Sequence, residues 1–260
     1  MPLGDTEATV GCPRGDGPPL ASRSAPSLSP RLAGIDWRRI GAELDAFGVS
    51  TTGVLLAPEE CASIASVYGR EEGFRSRIVM SRHGFGRGEY KYYAYPLPTP
   101  VAELREALYP PLADIANRWE AAFGRSGAFP PDHAAYLERC HAAGQARPTP
   151  LLLRYEVGDY NCLHQDLYGA LAFPLQVAFL LSAPGEQFTG GEFVLTEQRP
   201  RMQSRAEVVS LRQGEGVIFP VNQRPVQGGR GVYRVTMRHG VSRLRSGERF
   251  TLGIIFHDAA

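Results

Sequence analysis

Lysine is almost missing from this chain of 260 residues: Lys91 is the only one, so arginine makes up 27 of the 28 basic residues. Skewed usage of this kind is what GC-rich coding produces. The acids number 27 and the net charge is +1, so overall charge argues for neither a nucleic-acid nor a membrane partner. Cysteine is scarce as well. Cys12, Cys61, Cys140 and Cys162 form no C-x-x-C pair, and no charged-then-apolar leader opens the chain, which together point to a reducing, cytoplasmic setting. No apolar run approaches the roughly 20 residues of a membrane span, so no membrane partner is expected.

What is present divides the chain. Residues 1–33 are rich in Gly, Pro, Ser and Ala; they cannot offset the entropy of ordering and are expected to form a disordered tail. Residues 34–260 read as a single domain, with helical support and a lid over 34–149 and a strand-rich part over 150–260. Asp36 caps a helix whose apolar positions Trp37, Ile40, Leu44 and Phe47 recur at helical spacing until Gly48. Pro58-Glu59-Glu60 opens a second. Leu104, Leu108, Leu112, Ile115 and Trp119 share a face of a third, interrupted near Pro110-Pro111. A fourth spans 132–143, with His133 and His141 toward solvent. From Phe173 onward short apolar strands alternate with Gly-rich turns, the texture of a double-sheet sandwich or barrel. The fold class is therefore α+β.

Between Arg82 and Pro96 the chain interleaves glycines, tyrosines and cations, with His83, Arg87, Tyr90, Tyr92 and Tyr93 as the chemically interesting side chains. Rings that stack on bases, next to cations that meet phosphate, suit a lid that handles nucleobases. The competing reading is a plain hairpin with Tyr90, Tyr92 and Tyr95 partly in the core.

The strongest local signal is His164-Gln165-Asp166, reached through an apolar run, Leu151 to Leu153, and a bend at Gly158-Asp159. Alternation along a strand puts His164 and Asp166 on one face, with Cys162 in phase. An imidazole and a carboxylate suit a divalent iron, and a second His completes a 2-His-1-carboxylate set that leaves coordination positions open.

With the strand pair Gly190-Gly191-Glu192-Phe193 and Gly216-Val217-Ile218-Phe219, then His239 followed ten residues later by Arg249 and by Thr251, the pattern resembles the Fe(II)/2-oxoglutarate dioxygenases. Within them, Arg154-Tyr155 ahead of His164-Gln165-Asp166 is similar to the AlkB-like nucleic-acid demethylases. Residues 159–168 and 234–259 are similar to the bacterial Oxygenase-NA family, proposed to act on damaged DNA. The resemblance implies a double-stranded β-helix (jelly-roll, cupin-like) core buttressed by N-terminal helices, with Fe(II), 2-oxoglutarate and O2 as cofactor and cosubstrates. It makes His164, Asp166 and His239 the iron ligands, and gives Arg249, Tyr155 and Thr251 to the cosubstrate. Leu153 and Ile255 depart from the AlkB pattern, so contacts near the iron must come from other groups. His257, in phase with Arg249 on an alternating strand, is a further candidate beside the lid residues.

The function implied is oxidative demethylation or dealkylation of damaged DNA or RNA by a monomer, a DNA-repair role. The alternative is hydroxylation of a protein side chain or small metabolite with the same cofactor chemistry. Arg224, Arg230, Arg234, Arg238, Arg243 and Arg245 crowd the final third, and Arg234 and Arg238 share the face opposite His239, a stripe that could meet phosphates.

Overall fold

The computed structural model describes residues 28–126, 129–167 and 169–260. Residues 1–27, which hold most of the expected tail, lie outside the described residues. Residues 28–33 were expected to belong to that tail. They instead form helix α1 (Leu28–Ala33), because Leu28 finds a buried place and Arg31 pairs with Glu60 through both guanidinium nitrogens at 2.7 Å.

The other helices are α2 (Trp37–Phe47), α3 (Pro58–Ser66), α4 (Thr99–Ala122) and α5 (His133–Ala142). Asp36 caps α2 by accepting from Arg39 N at 2.9 Å, and Gly48 ends it. The expected break in α4 does not occur. Pro110 and Pro111 lie inside one continuous helix, because the buried face running through Leu104, Leu108, Leu112, Ile115 and Trp119 holds both halves against the core. None of the described helices is long and apolar enough to cross a membrane.

The strands are β1 (Ser50–Val54), β2 (Phe74–Val79), β3 (Gly86–Arg87), β4 (Glu89–Tyr93), β5 (Leu151–Tyr155), β6 (Tyr160–His164), β7 (Leu175–Leu180) and β8 (Phe188–Gly190). They continue as β9 (Phe193–Gln198), β10 (Arg205–Val209), β11 (Glu215–Pro220), β12 (Gln223–Gly228), β13 (Gly231–Val241), β14 (Leu244–Gly247) and β15 (Arg249–Ile254). A seven-stranded sheet has the order β1-β11-β7-β15-β5-β4-β2; a second has the order β10-β9-β13-β6-β3, with β12 paired to β13. Every pairing between named strands is antiparallel. The segment before residue 150 supplies β1, β2 and β4 to the larger sheet, so it extends the sheet as well as buttressing it.

Alternation then sorts the side chains of the larger sheet. Leu152, Val177, Phe179, Leu252 and Ile254 enter a core under the helices. Residues one step out of phase, among them Tyr155 and Leu180, face the second sheet, where Phe193, Phe219, Val235 and Met237 form another core. The space between the two sheets is where the site lies.

Candidate metal centre and anion pocket

His164 ends β6, and His239 lies directly across from it on β13 as its register partner. Asp166 follows in the loop. The three ligand atoms all lie within 4.8 Å of one another. His164 Nε2 is 3.4 Å from Asp166 Oδ1, and His239 Nε2 is 3.3 Å from Asp166 Oδ2. Nδ1 of His164 sits 2.7 Å from the Cys162 carbonyl. A carbonyl only accepts, so Nδ1 carries a proton and Nε2 is the nitrogen turned inward to Asp166. The His239 ring is packed by Phe219 and Phe193, at centroid distances of 4.5 and 6.0 Å, and its Nδ1 has no partner among the described residues.

Charge follows geometry. Burial resists ionisation of Asp166, but hydrogen bonds from His164 and then His239 outweigh it and hold the carboxyl well below its ordinary range. Burial likewise works against a charged His164, yet the Asp166 hydrogen bond raises its pKa. For His239 burial wins and the pKa falls.

The strand-phase expectation for Cys162 does not hold. His164 pairs with His239 and Asn161 with Val241, so two residues of β6 oppose the single Gly240 of β13. This bulge turns Cys162 and Leu163 outward and brings Asn161 to the cavity wall. Gln165, between the two ligands, is tied down by its Nε2, which donates to Asn222 Oδ1 at 2.6 Å and to the Met237 carbonyl at 2.9 Å.

The triad opens into a cavity of about 220 Å³ whose lining includes Tyr155, Gln176, Arg249 and Thr251. Arg249 opens β15 opposite Tyr155 of β5. It is 2% exposed. Its Nη1 donates to Thr251 Oγ1 at 2.6 Å, its Nε has no partner, and no carboxylate lies within 4.0 Å among the described residues. Burial lowers its pKa. Tyr155 is fully buried, its hydroxyl makes no well-formed hydrogen bond among the described residues although Asn161 lies beside it, and burial pushes its pKa up to about 12. A buried cation lacking an anion, beside two hydroxyls, is a receptor for a carboxylate. At the other end, two imidazoles and a carboxylate are the donor set for a divalent iron. The residues therefore fit both Fe(II) and a dicarboxylate.

Other expected site residues scatter. Tyr90 lines the cavity. Tyr92 is buried between the sheets with the Arg75 guanidinium 4.4 Å from its ring centre. Tyr93 points the other way, into the helix-side core, stacked on Phe74 at 4.8 Å. His83 and Arg87 are exposed; His83 stacks on Phe85 at 5.3 Å, and Arg87 Nε is 3.7 Å from Asp159 Oδ1. Two of the three glycines in the 82–96 stretch serve close approach: a Cβ on Gly86 would meet Tyr160 O at 2.4 Å, and one on Gly88 would meet the Tyr155 ring at 2.9 Å, whereas Gly84 has open space around it.

His257 is not at the site. β15 stops at Ile254, alternation stops with it, and His257 is fully buried, its Nδ1 accepting from Phe173 N at 3.1 Å. His133, expected in solvent, is buried 2.8 Å from the Phe256 carbonyl. Arg224 is no surface cation either: it is 1% exposed, paired with Glu197, and donates to the Asp45 carbonyl at 2.8 Å. Gln176 carried no sequence signal, and it lines the cavity together with Phe85, the phenylalanine of the expected lid stretch.

Two antiparallel sheets around a two-histidine, one-carboxylate cluster and a buried arginine with no carboxylate within 4.0 Å among the described residues define an Fe(II)/2-oxoglutarate-dependent dioxygenase, with Fe(II), 2-oxoglutarate and O2 as its cofactor and cosubstrates. Among such enzymes, this chain belongs to the Oxygenase-NA family, whose model matches residues 88–259 and is described as an oxygenase catalysing oxidative methylation of damaged DNA. An uncharacterized protein of Mycobacterium tuberculosis, found in strains CDC 1551 and H37Rv, is 52% identical over 165 residues, 64% of this chain and 71% of the relative. In fold the chain is similar to a prolyl hydroxylase of Trichoplax adhaerens solved with a hypoxia inducible factor oxygen degradation domain peptide fragment. That match has a TM-score of 0.53 and 12% identity over 88% of this chain and 90% of the other. The non-heme alpha ketoglutarate dependent epimerase SnoN matches with a TM-score of 0.50 and 15% identity, over 84% and 81%.

Proposed function

We propose that the two sheets form a double-stranded β-helix in a single catalytic domain reaching from α1 to the last residue, and that this domain oxidatively dealkylates damaged nucleic acid. In this reading His164, Asp166 and His239 hold Fe(II), and Arg249 grips the far carboxylate of 2-oxoglutarate with Thr251 and Tyr155 beside it. The observation that carries it is the pairing, in one cavity, of a chelating triad with a buried guanidinium that has no carboxylate within 4.0 Å among the described residues.

Bound there, Fe(II) and 2-oxoglutarate supply O2 activation, with decarboxylation to succinate coupled to oxidation of a substrate C–H bond. The chain's own part is positioning. Thr251 orients the guanidinium. The Cys162 carbonyl fixes the His164 tautomer. Leu151, Leu153, Phe193, Phe219 and Ile255 wall the cavity and keep it dry.

The mouth supports a ring-bearing substrate. Phe85 and Leu167, which line the cavity, are 47% and 53% exposed. Phe85 is held there by Cys162 N, which donates to its carbonyl at 2.9 Å, so a flat aromatic shelf stands at the entrance with Arg82 and Arg87 nearby on the surface. An alkylated base turned out of its strand would lie on that shelf with its alkyl carbon toward the metal.

Purified protein loaded with Fe(II) and 2-oxoglutarate is expected to release succinate and formaldehyde together when given N-methylated DNA or RNA oligonucleotides, and neither with Asp166→Ala. Silence across a panel of alkylated oligonucleotides, with succinate released on a methylated or unmodified peptide or metabolite instead, would replace this substrate class by the hydroxylase reading.

A further inference from the structure

Gln176 stands where a sheet of this kind ordinarily buries an apolar side chain. On β7, Leu175, Val177 and Phe179 enter the helix-side core, while Gln176 and Ala178 face the cavity. Gln176 is 5% exposed, and a buried carboxamide is costly unless its hydrogen bonds are made. Those it makes go to the triad: Nε2 lies 2.7 Å from Asp166 Oδ2 and 3.3 Å from His239 Nε2. A carboxylate only accepts, so the amide nitrogen, not the oxygen, must point at Asp166. The triad sits on the second sheet and its loop, whereas Gln176 belongs to the seven-stranded sheet, between β11 and β15. The contact therefore ties the two layers together at the cluster.

We propose that Gln176 is a positioning residue of the metal centre: by donating to Oδ2 it keeps Asp166 one-armed, so that Oδ1 alone is offered to the ion. The inference rests on the triad being the iron site. Its consequence is a count of coordination positions. Three single-atom protein ligands leave three positions on a six-coordinate ion, and a two-oxygen cosubstrate plus O2 needs all three. A carboxylate free to swing onto the ion with both oxygens would take one of them. Gln176 thus guards the vacancy and holds Asp166 in a fixed rotamer, as outer-sphere partners of metal ligands do.

The test uses Gln176→Met, which keeps chain length and shape and loses the donor, read by Co(II) titration of the whole chain. Wild type is expected to bind Co(II) and to change its visible spectrum when 2-oxoglutarate is added. Gln176→Met is expected to melt at the wild-type temperature without metal, to bind Co(II) about 10- to 100-fold more weakly, and to need about 10-fold more 2-oxoglutarate for the spectral change. Gln176→Glu provides a second handle if the methionine variant does not fold: its added carboxylate should tighten Co(II) binding and weaken 2-oxoglutarate by filling a position. A Met or Glu variant with wild-type Co(II) and 2-oxoglutarate affinities overturns the role given to Gln176. A wild-type chain that binds no Co(II) overturns the iron site itself, and the inference falls with it.

Discussion

Arg105 and Arg249 are each 2% exposed, and they are opposites. Arg105 is saturated: Nε donates to the Ile255 carbonyl at 2.8 Å, Nη1 to the Tyr95 hydroxyl at 2.9 Å, and Nη2 to Asp258 Oδ1 at 2.7 Å and the His257 carbonyl at 3.1 Å. Arg249, at the other end of the same C-terminal stretch, has Thr251 and, among the described residues, no carboxylate within 4.0 Å, Glu192 acting on it only from farther off. One guanidinium comes with its anion built in and fastens α4 to the chain end. The other has the desolvation cost without the counter-charge, an arrangement a fold tolerates when a ligand brings the charge. The difference is the physical ground for the proposed receptor role of Arg249, without any appeal to sequence similarity.

The comparison breaks most visibly at the scaffold end. Arg105→Met strands a buried Asp258 carboxylate and should cost about 3–5 kcal/mol of unfolding free energy in urea titration. A loss under about 1 kcal/mol would mean that the pair is not structural. Arg249→Met should do the reverse. The ligand-free fold stays as stable as wild type or gains roughly 1–2 kcal/mol, because an uncompensated buried charge is gone. 2-Oxoglutarate affinity in the presence of Mn(II) falls at least ~100-fold, with the loss of a two-pronged, charge-assisted contact. The stabilisation of about 2.7 kcal/mol that wild type gains at a hundred times its dissociation constant disappears with it. A variant still stabilised by 2-oxoglutarate would remove Arg249 from the receptor role.

Acid sharpens the same contrast at smaller cost. His133 and His257 pack beside the Arg105 network, and burial, then the Arg105 charge, depress each imidazole to about 4. Their unfolded counterparts titrate near 6.5. Since the folded value lies below the unfolded one, the unfolded chain takes up more protons as pH drops through this window. The contribution is whole above about pH 6.5 and is lost as pH falls toward 4, on the order of 2–3 kcal/mol for each residue. Unfolding midpoints measured from pH 7 to pH 4 should fall accordingly, and His133→Gln should flatten the slope.

How much of this could be read from the sequence depends on whether the signal is local. His164 and Asp166, two positions apart, and Arg249 and Thr251, on one face of β15, are short-range pairs, although Asp166 lies in the loop beyond β6 and the roles of the β15 pair come from the family resemblance. Alternation also separates Tyr90 from Tyr93, which face opposite sides of β4. It misleads where the strand is irregular: the bulge in β6 exchanges Cys162 for Asn161, and the end of β15 at Ile254 sends His257 into the core. Gln176 carries no local mark, because its meaning is a 2.7 Å contact with a residue on another layer. Arg105 reads as an ordinary helix cation until Asp258 is seen beside it, 153 positions away. Pairings at such separations are products of topology, which no window of neighbouring residues contains.

A pair of tyrosines gives the finest version of the contrast. Tyr93 and Tyr155 are both buried, neither hydroxyl makes a well-formed hydrogen bond among the described residues, although Asn161 lies beside that of Tyr155, and burial raises both phenols. Tyr93 faces the helices and Tyr155 the cavity. If an idle hydroxyl is only a packing residue, replacing either by Phe should have the same effect: a fold as stable as wild type or better by about 1 kcal/mol, since an unsatisfied polar group is removed. If the Tyr155 hydroxyl is held ready for a carboxylate, Tyr155→Phe also loses a hydrogen bond to a charged group, and 2-oxoglutarate affinity drops by about 10-fold or somewhat more, with Tyr93→Phe unchanged. Calorimetric titration of Mn(II)-loaded protein with 2-oxoglutarate separates the two cases. Equal affinities for both variants would leave Arg249 and Thr251 as the whole of the carboxylate site.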